Sequence, residues 1–258
     1  MWGASREGWR IRHRAPRPER ALRAVVLGQA AQTGEIVARL SDNRVAEITS
    51  TRATADVIIL WDPDPPAVRE IALWAMRSCP CTALILAARD GLALCRDAAR
   101  ASGLPPWLIL STGGLPHSAM EARQLAGRLD VSVTQVCVPV IGGDAPAGTA
   151  AVRRYATVAG ITADAMGDPG PSDWPLQTPA RPFSDASLIG AAVTLARAVL
   201  EDRRQVLCCG AWVEGAWGVP GGFVIAPVPV GARGAEEPLP MSLTVAERAL
   251  LQRAASVP

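Results

Sequence analysis

The chain has 258 residues, 49% of them hydrophobic, and sets 26 basic against 24 acidic side chains for a net charge of +2. That is enough chain for one large or two modest domains with a packed core, and too even a charge balance for the clustered basic face that nucleic acid requires. No run reaches the roughly 18 consecutive apolar residues of a membrane span, so a soluble chain is expected.

Residues 1–20 carry Arg6, Arg10, Arg12, Arg14, Arg17 and Arg20, with no apolar run after them that would make a secretory signal. A basic, disordered arm is expected, on a cytoplasmic protein or, if the arm is a leader, one of an organellar matrix. Residues 21–28, ALRAVVLG, read as a short buried strand ending in Gly28, as the first strand of a dinucleotide-binding unit does. Gly28 is therefore the candidate cofactor-binding residue. Ala30 and Thr33 stand where the G-x-G-x-x-G fingerprint places its later glycines, with Gly34 one place late. A helix-like run follows at 35–40, then strand-like runs at 45–49 and 53–61, and Glu47 is the available acid for a ribose.

Asp62-Pro63-Asp64-Pro65-Pro66 makes a stiff acidic turn before a helix over 67–77 that contains Arg69. A strand is expected at 81–86 and a helix over 92–103, with Asp90 placed to cap it. Ser118 and Glu121 form a capping-box pattern that predicts a helix from about Ala119, with Ala122, Leu125, Ala126 and Leu129 on one face. A β-rich run covers 131–141, and 165–182 is too rich in Pro and Gly for a regular helix. Residues 186–203 form an amphipathic helix with Leu188, Ala192, Leu195 and Val199 on one face, followed by strands at 205–213 and 223–230. Thr244 and Glu247 make a second capping box for a terminal helix within 240–255.

The six cysteines include no Cys-x-x-Cys pair and only two histidines accompany them, so free buried thiols and no metal site are expected. Of the eight tryptophans, most are expected in the core. Trp9 and Trp174 are the exceptions, as candidate partner contacts.

The stretch from Leu110 to Ile161 resembles the lactate/malate dehydrogenase family in spacing as well as composition. The family's G-G-x-L-D-x-x-R segment corresponds to Gly113, Gly114, Leu115, Pro116, His117, Ser118, Ala119 and Met120. Its L-x-V-S-x-x-x-V is matched by Leu129, Val131, Ser132 and Val136, and its G-G-H-G turn by Gly142, Gly143, Asp144 and Ala145. Arg154, Thr157, Val158, Gly160 and Ile161 follow as its R-x-x-T-V-x-G-I. The likeness extends over nearly all of 22–256, including an A-D-S-D-V-V-V-I-like strand at 53–61 and the terminal L-t-x-x-E pattern at Leu243, Thr244 and Glu247.

The resemblance implies an α/β fold, with a shortened Rossmann-like, doubly wound parallel sheet over 21–110 and an α+β domain of the family's C-terminal type over 111–258. It also implies NAD as the possible cofactor and an oligomer, with itself or with a related subunit; the charge balance and hydropathy, for their part, lead us to expect neither nucleic acid nor a membrane span as partner. The family's proton-exchanging histidine falls at Asp144, and the aspartate that orients it falls at His117. Met120 replaces the arginine that holds the substrate carboxylate, Ala87 replaces a substrate-binding asparagine, and Asp90 keeps its aspartate. Two functions from different classes follow. One is a protein that has lost 2-hydroxy-acid oxidation and serves as a non-catalytic assembly or regulatory subunit. The other is an active NAD-dependent dehydrogenase in which His117 and Asp144 exchange roles; a nucleotide sensor without chemistry is a third.

Overall fold

The computed structural model describes residues 21–41, 46–144, 148–166 and 183–256. The basic arm, Ala145, Trp9, Trp174 and most of the Pro-rich stretch lie outside these. Fully buried runs of Val, Ile and Leu form the centre of a parallel sheet, as strands covered on both faces require. They are β3 (Val57–Trp61) and β4 (Ala83–Ala87), every residue of which is buried, flanked by β1 (Leu22–Leu27), β2 (Ala46–Thr49) and β5 (Ile109–Ser111). Their order is β2-β1-β3-β4-β5, all parallel. A dinucleotide-binding sheet runs 3-2-1-4-5-6, so among the described residues this sheet has that order without its outermost strand. The compression between Gly34 and residue 53 accounts for the missing strand.

Helices α1 (Ala30–Ser41), α2 (Pro65–Ser78) and α3 (Gly91–Ser102) connect these strands. α2 starts where the acidic turn ends. Asp64 is its N-cap, accepting from the Ala67 N–H at 2.8 Å, and Pro65 and Pro66 fill the first positions, where their missing N–H groups are not needed. α4 (Gly114–Leu129) begins five residues earlier than the Ser118/Glu121 pattern predicts. Ser118 lies inside the helix and donates to the Val138 carbonyl at 2.6 Å, while Glu121 is buried, so neither caps it.

The β-rich run at 131–141 divides into a 3-10 turn and two short strands, β6 (Val136–Cys137) and β7 (Val140–Gly142). β8 (Thr149–Ala151) pairs with β7, and β9 (Thr157–Val158) and β10 (Ile161–Thr162) join β6 in a small three-stranded sheet. After α5 (Asp185–Leu200), the long strands β11 (Gln205–Val213) and β12 (Gly222–Gly231) form a hairpin, with β13 (Gly234–Ala235) beside β12. α6 (Val245–Ser256) ends the described chain. Its predicted capping box is present: Thr244 N–H donates to Glu247 at 2.7 Å and Glu247 N–H to Thr244 Oγ1 at 3.2 Å.

The parallel and antiparallel parts are one sheet, joined where Gly210 of β11 pairs with Ser111 of β5. The division expected at 110/111 thus falls inside β5. α5 packs on β3, β4 and β12 as well as on α1, and a single apolar cluster runs from Ala24 through Ile59 and Leu195 to Val228. All six cysteines are free, but Cys81 and Cys137 are exposed, not buried. Trp107 is half exposed, against the expectation of a core residue, and Trp61 is buried as expected.

Candidate functional site

The order of the parallel strands reverses between β1 and β3, and open α/β sheets bind their ligands outside the strand ends at such a switch point. Gly28 lies there, at the end of β1, with φ +141°. A Cβ at this position would stand 2.7 Å from the Trp61 carbonyl oxygen and 2.8 Å from Trp61 Cβ. The glycine is thus demanded by the end of β3, whether or not a pyrophosphate approaches. Thr33 is buried and its hydroxyl donates back to the Gln29 and Ala30 carbonyls, closing the first turn of α1.

Glu47 is excluded as a ribose ligand by register. It pairs with Arg23 at the start of β1, bonds that guanidinium at 2.9 Å, and so lies about 16 Å of strand away from Gly28. The residues at the switch point therefore do not fit a dinucleotide in the way the fingerprint requires.

Asp144 and His117 occupy the centre of the expected catalytic site, yet neither is a hydrogen-bond partner of the other. The Asp144 carboxylate turns toward α3 and accepts from the Leu92 N–H at 2.5 Å, while its Oδ1 is buried without a partner. Gly113 makes this reach possible, since a Cβ there would stand 2.5 Å from Asp144 Oδ1. Asp90 does sit at the N-cap position of α3, but its side chain makes no cap bond. The cap is supplied by Asp144 from a distant turn. Burial pushes the Asp144 carboxyl up to about 7; the nearby Asp90 adds to this, while the Leu92 N–H and the Arg96 guanidinium oppose it.

His117 is buried in the first turns of α4, with Nδ1 unpartnered and its ring edge-on to Phe183 at 4.6 Å. Burial lowers its pKa to about 4, so at neutral pH it is an uncharged imidazole. Met120 is half-buried on α4, where a thioether cannot neutralise a carboxylate, and Ala87 closes β4 with its carbonyl bonded to the Asp62 N–H. Arg123, one turn from Met120, is exposed. Among the described residues no group of three or more metal-ligating side chains assembles.

Sequence reasoning missed Gln32, Arg89 and Asp185, which meet over the strand ends. Gln32 Nε2 donates to Asp185 at 3.1 Å, and Arg89 Nη2 donates to Asp185 and to the Phe183 carbonyl, both at 3.2 Å. No spacing in the sequence joins residues 96 and 153 positions apart.

The fold is α/β and Rossmann-like, with its parallel sheet extended by antiparallel strands. No family model matches the chain. In sequence it is 30% identical over 168 residues to a malate dehydrogenase of Roseobacter denitrificans, covering 58% of this chain and 51% of that one. A malate dehydrogenase of Methylobacterium radiotolerans is 28% identical over 171 residues, covering 59% and 52%. The chain spans about half the length of the curated relatives it matches. In fold it is similar to a lactate dehydrogenase from Cryptosporidium parvum, with TM-score 0.77, 18% identity and coverage of 91% of this chain and 95% of that one. A malate dehydrogenase from the same organism gives TM-score 0.77 at 19% identity, covering 91% and 96%. In sequence over part of its length, and in fold over nearly all of it, the chain is similar to the lactate/malate dehydrogenases.

Proposed function

We propose that the chain is a member of this family that does not oxidise 2-hydroxy acids and acts as a non-catalytic assembly or regulatory subunit, in a homo-oligomer or with a related subunit. The observation that carries this reading is the bond from the Leu92 N–H to Asp144. The residue at the position of the family's proton-exchanging histidine is a carboxyl group bonded to a helix end and not to His117. Met120 and Ala87 support the reading, because neither offers the charge or the hydrogen bonds that a 2-hydroxy acid would need.

The test is turnover of malate and lactate with NAD by the purified chain, alone and as the His117→Ala variant. No turnover is expected from either. Turnover that disappears in His117→Ala would replace this reading with the dehydrogenase in which His117 and Asp144 exchange roles.

A further inference from the structure

Asp185 bonds two elements that lie on opposite sides of the switch point. Gln32 stands in the first turn of α1, just beyond β1, and Arg89 follows the end of β4. β3 lies between those strands, so the contacts of one carboxylate reach across about 10 Å of sheet edge. Each oxygen has its own donor: Oδ2 takes the Gln32 amide and Oδ1 the Arg89 guanidinium. The same guanidinium holds the Phe183 carbonyl, and the Phe183 ring packs on His117, which brings α4 into the closure.

Gln32 adds a second observation. Its Oε1 is buried with no hydrogen-bond partner, while its Nε2 serves Asp185. The amide turns its donor to the negative charge and leaves its own acceptor unsatisfied, a desolvation cost that the contact with that charge offsets. An arginine and an amide donor thus converge at the edge where sheets of this kind receive anionic ligands, and the anion they hold is the chain's own. The contact is also displaceable, since Arg89 and Asp185 are 43% and 47% exposed. A half-exposed ion pair of this kind is worth a factor of about five in an equilibrium at most.

We infer that Asp185 is an internal counter-anion that keeps the strand-end crevice shut, so that a phosphate-class anion reaches Arg89 and Gln32 only by displacing it. The inference deepens the non-catalytic reading of the same site, and it gives that site a regulated opening.

The test is calorimetric titration of inorganic pyrophosphate into wild type, Asp185→Ala, Asp185→Asn and the double variant Asp185→Ala/Arg89→Ala. The asparagine variant keeps the side-chain shape should the alanine variant fold poorly. Affinity is expected to rise about fivefold in both single variants and to return to the wild-type value in the double variant. Hydrogen exchange over 183–190 and the first turn of α1 quickens in Asp185→Ala. Equal affinity in wild type and single variants, or a gain that survives Arg89→Ala, overturns the inference. Malate or lactate turnover by wild type sinks the non-catalytic reading alone, because the comparison among variants is read without any reaction.

Discussion

Asp144 caps helix α3 through the Leu92 N–H at 2.5 Å, although 52 positions separate the two residues in the chain. The bond ties the turn after β7 to the parallel half of the sheet, and it places a carboxylate where burial disfavours its charge.

This gives stability a pH dependence of definite sign. The folded carboxyl titrates near 7 and the unfolded one near 3.8. The native state therefore keeps a proton that the unfolded state has lost, and stability present below the unfolded pKa is lost as pH rises from about 4 to 7. The loss is on the order of 4 kcal/mol by neutral pH. Asp144→Asn, which keeps an acceptor for Leu92, should remove this slope in urea denaturation at pH 5 and pH 8. An unchanged slope would show that the carboxyl is not the titrating group.

His117 carries the opposite sign. Its folded pKa lies near 4 against 6.5 unfolded, so the stability it allows is complete above 6.5 and is lost as pH falls toward 4. In a His13→Ala background a single imidazole remains, and its proton resonance should stay flat from pH 8 to pH 5.5. A midpoint near 6.5 would place the ring in solvent and contradict its packing on Phe183.

Arg154 joins the turn before β9 to α6 with two bonds to Glu247, at 2.8 and 2.7 Å, and a further one to the Ser242 carbonyl. Burial raises the Glu247 pKa, but the bonds from Arg154 and Thr244 outweigh it and the net shift is downward. The stability this gives is present above the unfolded pKa and lost as pH falls through the folded one. Glu247→Ala removes the helix cap and the pair together, at about 1–2 kcal/mol. A double-mutant cycle with Arg154→Ala should show coupling of about 1 kcal/mol. Additive losses would mean that the pair contributes nothing.

Gly28→Ala should destabilise the fold by about 1–3 kcal/mol in the complete absence of nucleotide, because its φ is +141° and its new methyl would meet Trp61. A variant as stable as wild type would return Gly28 to the role of a ligand-approach glycine.

The sequence made much of the fold legible because the strands are defined by local signals. Buried runs such as 57–61 and 83–87, the Pro65-Pro66 helix start and the Thr244/Glu247 box each state their structure within a few residues. The Ser118/Glu121 box misled because the same letters serve inside a helix, where Ser118 bonds a strand carbonyl 20 positions away. At the site, residue types at His117, Met120 and Asp144 were readable, but their partners were not. Leu92 for Asp144, Phe183 for His117, and Gln32 with Arg89 for Asp185 are set by packing across the sheet, and no periodicity encodes that.

The most direct measurement is calorimetric titration of NADH into the purified chain, with malate and lactate turnover followed on the same sample. No binding is expected at about 1 mM NADH, and no turnover. Binding at micromolar NADH accompanied by turnover of either acid would contradict it, and would make Gly28, His117 and Asp144 parts of a working site.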